Sequence, residues 1–356
     1  MLIYYSVPVL LLCSYWLFYL WVSKSETTEL EESKSISLDD ITLIVPFRNE
    51  GSLLKRIIES IHEQDCYPFA VIFVDDHSTD NSVEILKNEL NDLAINCTLF
   101  HLTDDYGKKA AIDFGIHHTE TNYILQLDAD VLMKPNYFRE LGQLKVKDLW
   151  VLPVVLTGAK GVMRIFEWDY LFMNAFSYKM RNKKVLSASG ANLLFNKKKY
   201  LEQIGKSKGK NFLSGDDYFL LKAMQSAQLN IGVSANPNLM VTTELPSSLV
   251  SVLKQRLRWL LKSTKIELVA LLLFSAVQFL MIVLLTTTSF YGLILFLFKT
   301  CIDILLVKEY VHSLQLKNRE YWVVPFFLCF PFYMLGLVLA HLFVKKEWKG
   351  RPLKKK

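Results

Sequence analysis

An α/β domain with a mostly parallel, doubly wound sheet, held between membrane-spanning segments, is the architecture this sequence predicts. Three observations carry it. Short β-branched runs alternate with amphipathic helical patterns between residues 41 and 156, aspartates stand at the ends of two of those runs, and apolar tracts occupy both ends of the chain.

Residues 2–22 contain no charge and match the ~20 residues that cross a hydrocarbon core as a helix. Neither a basic leader nor a small-residue cleavage site accompanies them, so 1–23 is expected to be kept as an N-terminal transmembrane anchor. The stretch 24–40, rich in Ser, Thr, Glu and Lys, reads as a solvated linker. The folded domain, 41–245, follows. Its expected strands are ITLIVPF (41–47), AVIFVD (70–75), NCTLFHL (96–102), NYILQLD (122–128) and DLWVLPVVL (148–156), with helices near 50–63, 81–91 and 108–118. Ligands of such a sheet lie beyond the carboxyl ends of its strands. An amphipathic interfacial helix at 246–265, transmembrane segments within 266–344 and a basic juxtamembrane tail at 345–356 complete the expected organisation.

The formal charge is +6, and seven Lys/Arg against one Glu in 345–356 account for all of it. With the rest of the chain balanced, nucleic acid is not expected as a partner, and the tail is expected to meet anionic membrane lipid on a cytoplasmic face. Five scattered cysteines without CxxC spacing suggest neither a disulfide framework nor a zinc site. Adjacent His117 and His118 cannot share a helix face as ligands. The expectation is a multi-pass protein of the plasma or inner membrane with its folded domain in the cytoplasm.

Four acidic or basic signatures carry the chemistry. Asp128 and Asp130 flank Ala129 after an apolar run, a spacing suited to Mg²⁺ or Mn²⁺, which binds through one or two carboxylates and completes its shell with water and phosphates. Alone, the same residues would simply open a turn ahead of Pro135. In VDDHSTD (74–80), Asp80 or Thr79 is expected to cap the next helix. Asp75 and Asp76, at the strand's end, can instead accept hydrogen bonds from a nucleobase imide or a ribose hydroxyl. Ser214 and Asp217 have capping-box spacing, and Asp217 also suits a general base. QRLRW (255–259) lies in a segment with one basic and one apolar face. Arg258 there suits bidentate phosphate contact and Trp259 ring stacking.

In this order the motifs resemble those of the membrane-bound, inverting family-2 glycosyltransferases with a nucleotide-sugar-binding GT-A fold, a group that includes ceramide glucosyltransferases and the cellulose, chitin and hyaluronan synthases. The likeness covers most of 41–264. It rests on IVPFRNE (44–50), VDDHSTD, GKKAAIDFGI from Gly107, DAD, GANLLF from Gly190, GDD where the family usually has ED, and QRLRW as QxxRW. The resemblance implies nucleoside contacts for Asp75 and Asp76, base or diphosphate contact for Lys108, and binding of Mg²⁺ or Mn²⁺ with the diphosphate by Asp128 and above all Asp130. It implies Asp217 as catalytic base with Asp216 beside it at the donor, and Gln255, Arg258 and Trp259 beside the diphosphate and acceptor. His77 stands where the family often has Gly.

The implied reaction is a single displacement at the anomeric carbon of a nucleotide sugar, a UDP-sugar by the likeness, with inversion. Its acceptor would be a membrane lipid, a lipid-linked glycan or a growing glycan. Three or four apolar segments are too few for a self-contained polymer channel, which favours a lipid or lipid-linked acceptor. A processive polysaccharide synthase, a silent scaffold with an inherited nucleotide site and a metal-dependent nucleotidyltransferase stay as alternatives, and a homodimer or partner membrane subunit stays open. One tension is topological. A cytoplasmic domain followed by three spans would leave the basic tail outside, against the positive-inside rule, unless Pro325 and Pro331 fold the last segment into a re-entrant hairpin.

Overall fold

The computed structural model describes residues 2–24, 34–90, 95–205, 215–287, 290–317, 322–343, 347–348 and 351–352. They form two compact units. The sheet unit comprises Glu29–Thr157, Ser187–Glu244 and Lys346–Lys356, and the helical unit Met1–Thr28, Gly158–Leu186 and Leu245–Lys345.

The chain gives α1 (Leu2–Ser23) to the helical unit and then builds β1 (Ile41–Phe47), α2 (Gly51–His62), β2 (Ala70–Asp75), α3 (Ser82–Leu90), β3 (Cys97–His101), α4 (Lys108–His117), β4 (Tyr123–Leu127), α5 (Tyr137–Leu141), β5 (Leu149–Val151) and β6 (Val154–Thr157). After α6 (Arg164–Lys179) of the helical unit, the sheet unit resumes with β7 (Asn192–Asn196), α7 (Lys197–Ile204), α8 (Asp216–Ser226), β8 (Ile231–Val233) and β9 (Val241–Glu244). Helices α9 (Leu249–Leu260), α10 (Lys265–Thr287), α11 (Phe290–Ser313) and α12 (Val323–Phe343) follow, and two short antiparallel strands, β10 (Glu347–Trp348) and β11 (Arg351–Pro352), return to the sheet unit.

The main sheet has the order β3-β2-β1-β4-β7-β5-β8. Its first four strands run parallel, and β7 lies antiparallel to both neighbours. Strands β1, β2 and β4 are buried along their whole length. Covered on both faces, they read as continuous apolar runs rather than as alternation. Pro46 is tolerated in central β1 because pairing with β4 extends only from Ile41 to Ile44.

Two expectations for the sheet unit need correction. The stretch foreseen as linker ends before residue 34, since Ile36 is buried and its amide donates to the Leu144 carbonyl at 2.9 Å. The run 148–156 is two strands rather than one. Pro153 cannot extend the ladder, so β5 stays in the main sheet while β6 leaves it to pair with β9. Asn192, fully buried, holds this break: its amide donates to the carbonyls of Pro153 (3.0 Å) and Leu239 (2.9 Å), and its oxygen accepts from the Tyr137 hydroxyl (2.5 Å).

In the helical unit α1, α10, α11 and α12 are long and apolar enough to cross a membrane. Pro325 and Pro331 produce no hairpin. Residues 323–343 form one helix, with Pro325 in the first turn, where no amide partner is lost, and Pro331 in its interior. The expected interfacial helix 246–265 is also shorter than foreseen. Ser248 caps α9 by accepting from the Ser251 amide at 3.2 Å, and a Thr264/Glu267 capping box starts α10. Helix α6 lies inside the span expected to belong to the folded domain, yet it buries Trp168 and Phe172 against Phe326, Phe327 and Phe274 of α12 and α10. In α11, Lys299 pairs with Asp303, which also accepts from the Tyr15 hydroxyl of α1 at 2.7 Å. Burying both charges is tolerable in an apolar bundle only because each has its partner.

Candidate active site

The carboxyl ends of β1 and β2 carry the first part of the site. Asp75 ends β2, Asp76 follows it, and both are buried. Asp75 Oδ1 accepts from the Ser78 amide at 2.9 Å and Oδ2 faces His101 Nδ1 at 3.1 Å, so this carboxylate shapes the loop that follows it. Asp76 Oδ1 accepts from the Gly107 amide at 2.9 Å, while Arg48 Nη1 donates to the Asp76 carbonyl at 2.9 Å. His77 has φ +59°, the left-handed region, and its Nδ1 lies 3.3 Å from Asp76 Oδ1. That backbone conformation is the physical reason a glycine suits this position. Asp80 caps α3 as expected, with Oδ1 accepting from the Ser82 amide at 3.0 Å and Oδ2 from the Gly51 amide at 3.3 Å.

Gly107 precedes α4 with φ +102° and ψ 156°, a conformation essentially reserved for glycine, and this launches Lys108 from the first position of the helix. Its ammonium lies 2.5 Å from Asp128 Oδ1, just past the end of β4, and 3.7 Å from Asp216 Oδ2, in the first turn of α8. Gln126 of β4 donates to Asp216 Oδ2 (2.6 Å) and to the Gly190 carbonyl (2.8 Å). The Gly190 amide in turn donates to Asp217 Oδ2 at 3.1 Å. A methyl group on Gly190 would stand 2.6 Å from Gln126 Nε2, 2.7 Å from Asp216 Oδ2 and 2.9 Å from Lys108 Nζ, so any side chain at this crossing would have to displace these three polar ends.

Electrostatics follow from one cation among several acids. Burial opposes the Lys108 charge, but Asp128, Asp216 and Asp217 outweigh it and raise its pKa. Burial pushes Asp128 up to about 7, Lys108 pulls it down in part, and the neighbouring charges of Asp130 and Asp216 add to the rise.

Lys108, Asp128 and Asp216 therefore meet directly, and Asp76 and Asp217 join them through the backbones of Gly107 and Gly190. Asp130 lies two residues along the turn, its Oδ2 accepting from Thr243 Oγ1 of β9 at 3.0 Å. The same turn is fixed by reciprocal amide–carbonyl bonds between Leu132 and Thr242 at 2.8 and 3.0 Å. Ser214 lies outside the described residues, and Gly215, with φ +96°, occupies the N-cap of α8. Among the described residues no three His, Cys, Asp or Glu side chains cluster as a metal cage. Two carboxylates on a tight turn do fit Mg²⁺ or Mn²⁺, whose remaining ligands are waters and substrate phosphates.

Gln255, Arg258 and Trp259 lie on α9 in the helical unit, all partly buried. Gln255 Oε1 accepts from Arg256 Nη1 at 2.6 Å, and the Trp259 ring packs on Tyr170 (5.4 Å between centroids) and under the Arg256 guanidinium (4.3 Å). Arg256 is the buried residue of the motif. It makes a bidentate pair with Asp169 at 2.8 and 2.6 Å, and Tyr333 donates to the same carboxylate at 2.9 Å.

Several participants went unnoticed in the sequence. Arg48, Gln126, Gly190's crowding and Thr243 are visible only once strand ends are brought together. Arg256 carried a signal that could have been used, since a cation on the apolar side of an amphipathic helix needs a buried acid.

The pattern of Glycosyl transferase family 2 matches residues 42–201, and that of Glycosyl transferase family group 2 matches 123–343. Among curated relatives, the undecaprenyl-phosphate 4-deoxy-4-formamido-L-arabinose transferase of Yersinia enterocolitica is 27% identical over 165 residues, which is 45% of this chain and 47% of that protein. The teichoic acid poly(glycerol phosphate) polymerase of Staphylococcus epidermidis is 30% identical over 93 residues, 26% of this chain and 13% of the relative. The chain thus spans about half or less of the curated relatives it matches. A mannosyltransferase of Pyrobaculum calidifontis, solved with GDP-Man and Mn²⁺, shares the fold with TM-score 0.55 at 16% identity, over 95% of each chain. With a family pattern covering more than half its length, this chain belongs to the family-2 glycosyltransferases.

Proposed function

We propose that this protein transfers a sugar, with inversion, from a nucleoside diphosphate sugar to a lipid or lipid-linked acceptor at the cytoplasmic face of a membrane. The observation that carries the reading is the meeting of Lys108, Asp128 and Asp216 at the carboxyl ends of the sheet, with Asp76 and Asp217 one backbone bond away. In this reading Asp75 and Asp76 order the loop that receives the nucleoside, and UDP is the expected nucleotide. Asp128 and Asp130 hold Mg²⁺ or Mn²⁺, which when bound neutralises the charge that develops on the departing diphosphate. Lys108 contributes a second positive charge to that group. Asp217, its Oδ2 oriented by the Gly190 amide, takes the acceptor's proton where the nucleophile is a hydroxyl, an ionised phosphate needing no such step; in either case the acceptor oxygen bonds to the anomeric carbon as the carbon–diphosphate bond breaks. Arg258 and Trp259 are assigned to the diphosphate and acceptor by the QxxRW likeness.

Four candidate spans and a relative named for undecaprenyl phosphate support a lipid acceptor. The test is a panel of radiolabelled UDP- and GDP-sugars supplied with Mn²⁺ to membranes containing the protein. A lipid-soluble labelled product with at least one donor is expected. A polymeric product would replace the acceptor assignment, and the absence of any labelled product across the panel would overturn the reading.

A further inference from the structure

We propose that the Lys108 ammonium stands in for the divalent cation at Asp128 until a diphosphate arrives, so that metal and nucleotide load together. This rests on the assignment of Asp128 and Asp130 as metal ligands. The ammonium is already 2.5 Å from Asp128 Oδ1, and Asp216 Oδ2 lies 3.7 Å away on its other side. It is wedged against Gly190, at the distance where a side chain there would collide with it. Its backbone is fixed by the Gly107 amide bond to Asp76.

Asp130, whose Oδ2 already accepts from Thr243 Oγ1, offers the ion only part of a two-carboxylate site. A hard cation must approach a carboxylate oxygen to about 2.0–2.1 Å, and an ammonium resting on that oxygen repels it strongly in a site of reduced dielectric. Lys108 must therefore swing aside, which its flexible four-carbon stem permits, and it needs a new counter-charge when it does. The diphosphate supplies one. Metal alone then binds weakly, metal with nucleotide binds well, and by linkage each ligand raises the affinity of the other by the same factor.

The experiment measures Mn²⁺ binding to full-length protein in lipid nanodiscs by the electron paramagnetic resonance of free Mn²⁺, with no nucleotide, with UDP and with GDP. Lys108→Met should bind Mn²⁺ alone about tenfold or more tightly than wild type, and the enhancement by nucleotide should shrink correspondingly. Lys108→Arg, which keeps the charge, should retain weak binding of Mn²⁺ alone. Equal or weaker binding of Mn²⁺ alone by Lys108→Met overturns the inference while leaving the metal assignment standing, whereas wild type that binds no Mn²⁺ with either nucleotide removes both. Because the methionine variant also strips the acids of their counter-charge, unaltered protein provides a second readout. Saturating Mn²⁺ alone should speed reaction of Lys108 with an amine-directed label, quantified by peptide mass spectrometry, and an unchanged rate again overturns the inference.

Discussion

In the proposed reaction Asp217 and Asp128 divide the work that two carboxylates of one chain can do, and their surroundings bear on which does what. Asp217, oriented by a backbone amide, is the base of the proposed reaction. Asp217→Asn should cut transfer to a hydroxyl acceptor by about 10²–10⁴ while calorimetry still detects nucleotide-sugar binding; undiminished turnover would remove it from that role. Asp128 behaves oppositely. Its carboxyl, pushed up to about 7 first by burial, holds its proton more tightly folded than unfolded. Its ionisation therefore costs stability as pH rises from its ordinary value towards about 7, and a divalent cation needs the ionised form. Mn²⁺ affinity in the presence of nucleotide should rise between about pH 5.5 and 8 and then level off, as titration calorimetry at several pH values would record. A flat profile would mean that Asp128 does not receive the ion.

At the scale of elements, strand positions were legible because burial on both faces leaves an unbroken apolar run. ITLIVPF and AVIFVD became β1 and β2 with the expected ends. The break at Pro153 is not written locally, because a strand that changes sheets keeps the same composition on either side and nothing nearby announces the new partner. Asn192 is the long-range contact that decides it. Asn192→Ala should lower stability by about 2–4 kcal/mol, because it leaves two carbonyls and a tyrosine hydroxyl buried without their bonds. Chemical denaturation of the variant measures it, and a loss under about 0.5 kcal/mol would mean that water takes the amide's place. The chemistry-bearing acids were likewise legible in VDD, DAD and GDD, since strand ends and helix starts mark them. The residues that orient them were not. Gln126 looks like one more strand residue, and Gly190 like a turn, until Asp216 and Lys108 are brought beside them by segments far apart in sequence. Helix α6 escaped for a similar reason. Its acids and rings, Asp169 and Trp168 among them, make sense only against Arg256 and Phe326.

For the molecule as a whole, the helical unit is tied internally by polar contacts as well as by rings. Tyr15, Asp303 and Lys299 join the first apolar helix to α11, so α1 is part of a bundle and more than a tether. The sheet unit takes in Lys346–Lys356 as well as the residues that end at Glu244, and α10, α11 and α12 lie between these two stretches. A path that leaves one side of a surface and returns to it must pierce that surface an even number of times. If both stretches lie on one face of the bilayer, α10, α11 and α12 are not all full crossings, and one of them would lie along the bilayer or turn back within it. A cysteine placed at Lys356, in a background without the native cysteines, should be protected from a membrane-impermeant maleimide in intact cells and labelled once the cells are opened; labelling in intact cells would mean that three crossings occur. The parity of the route, rather than a break at Pro331, would then return the seven basic residues of the tail to the leaflet whose negative charge attracts them.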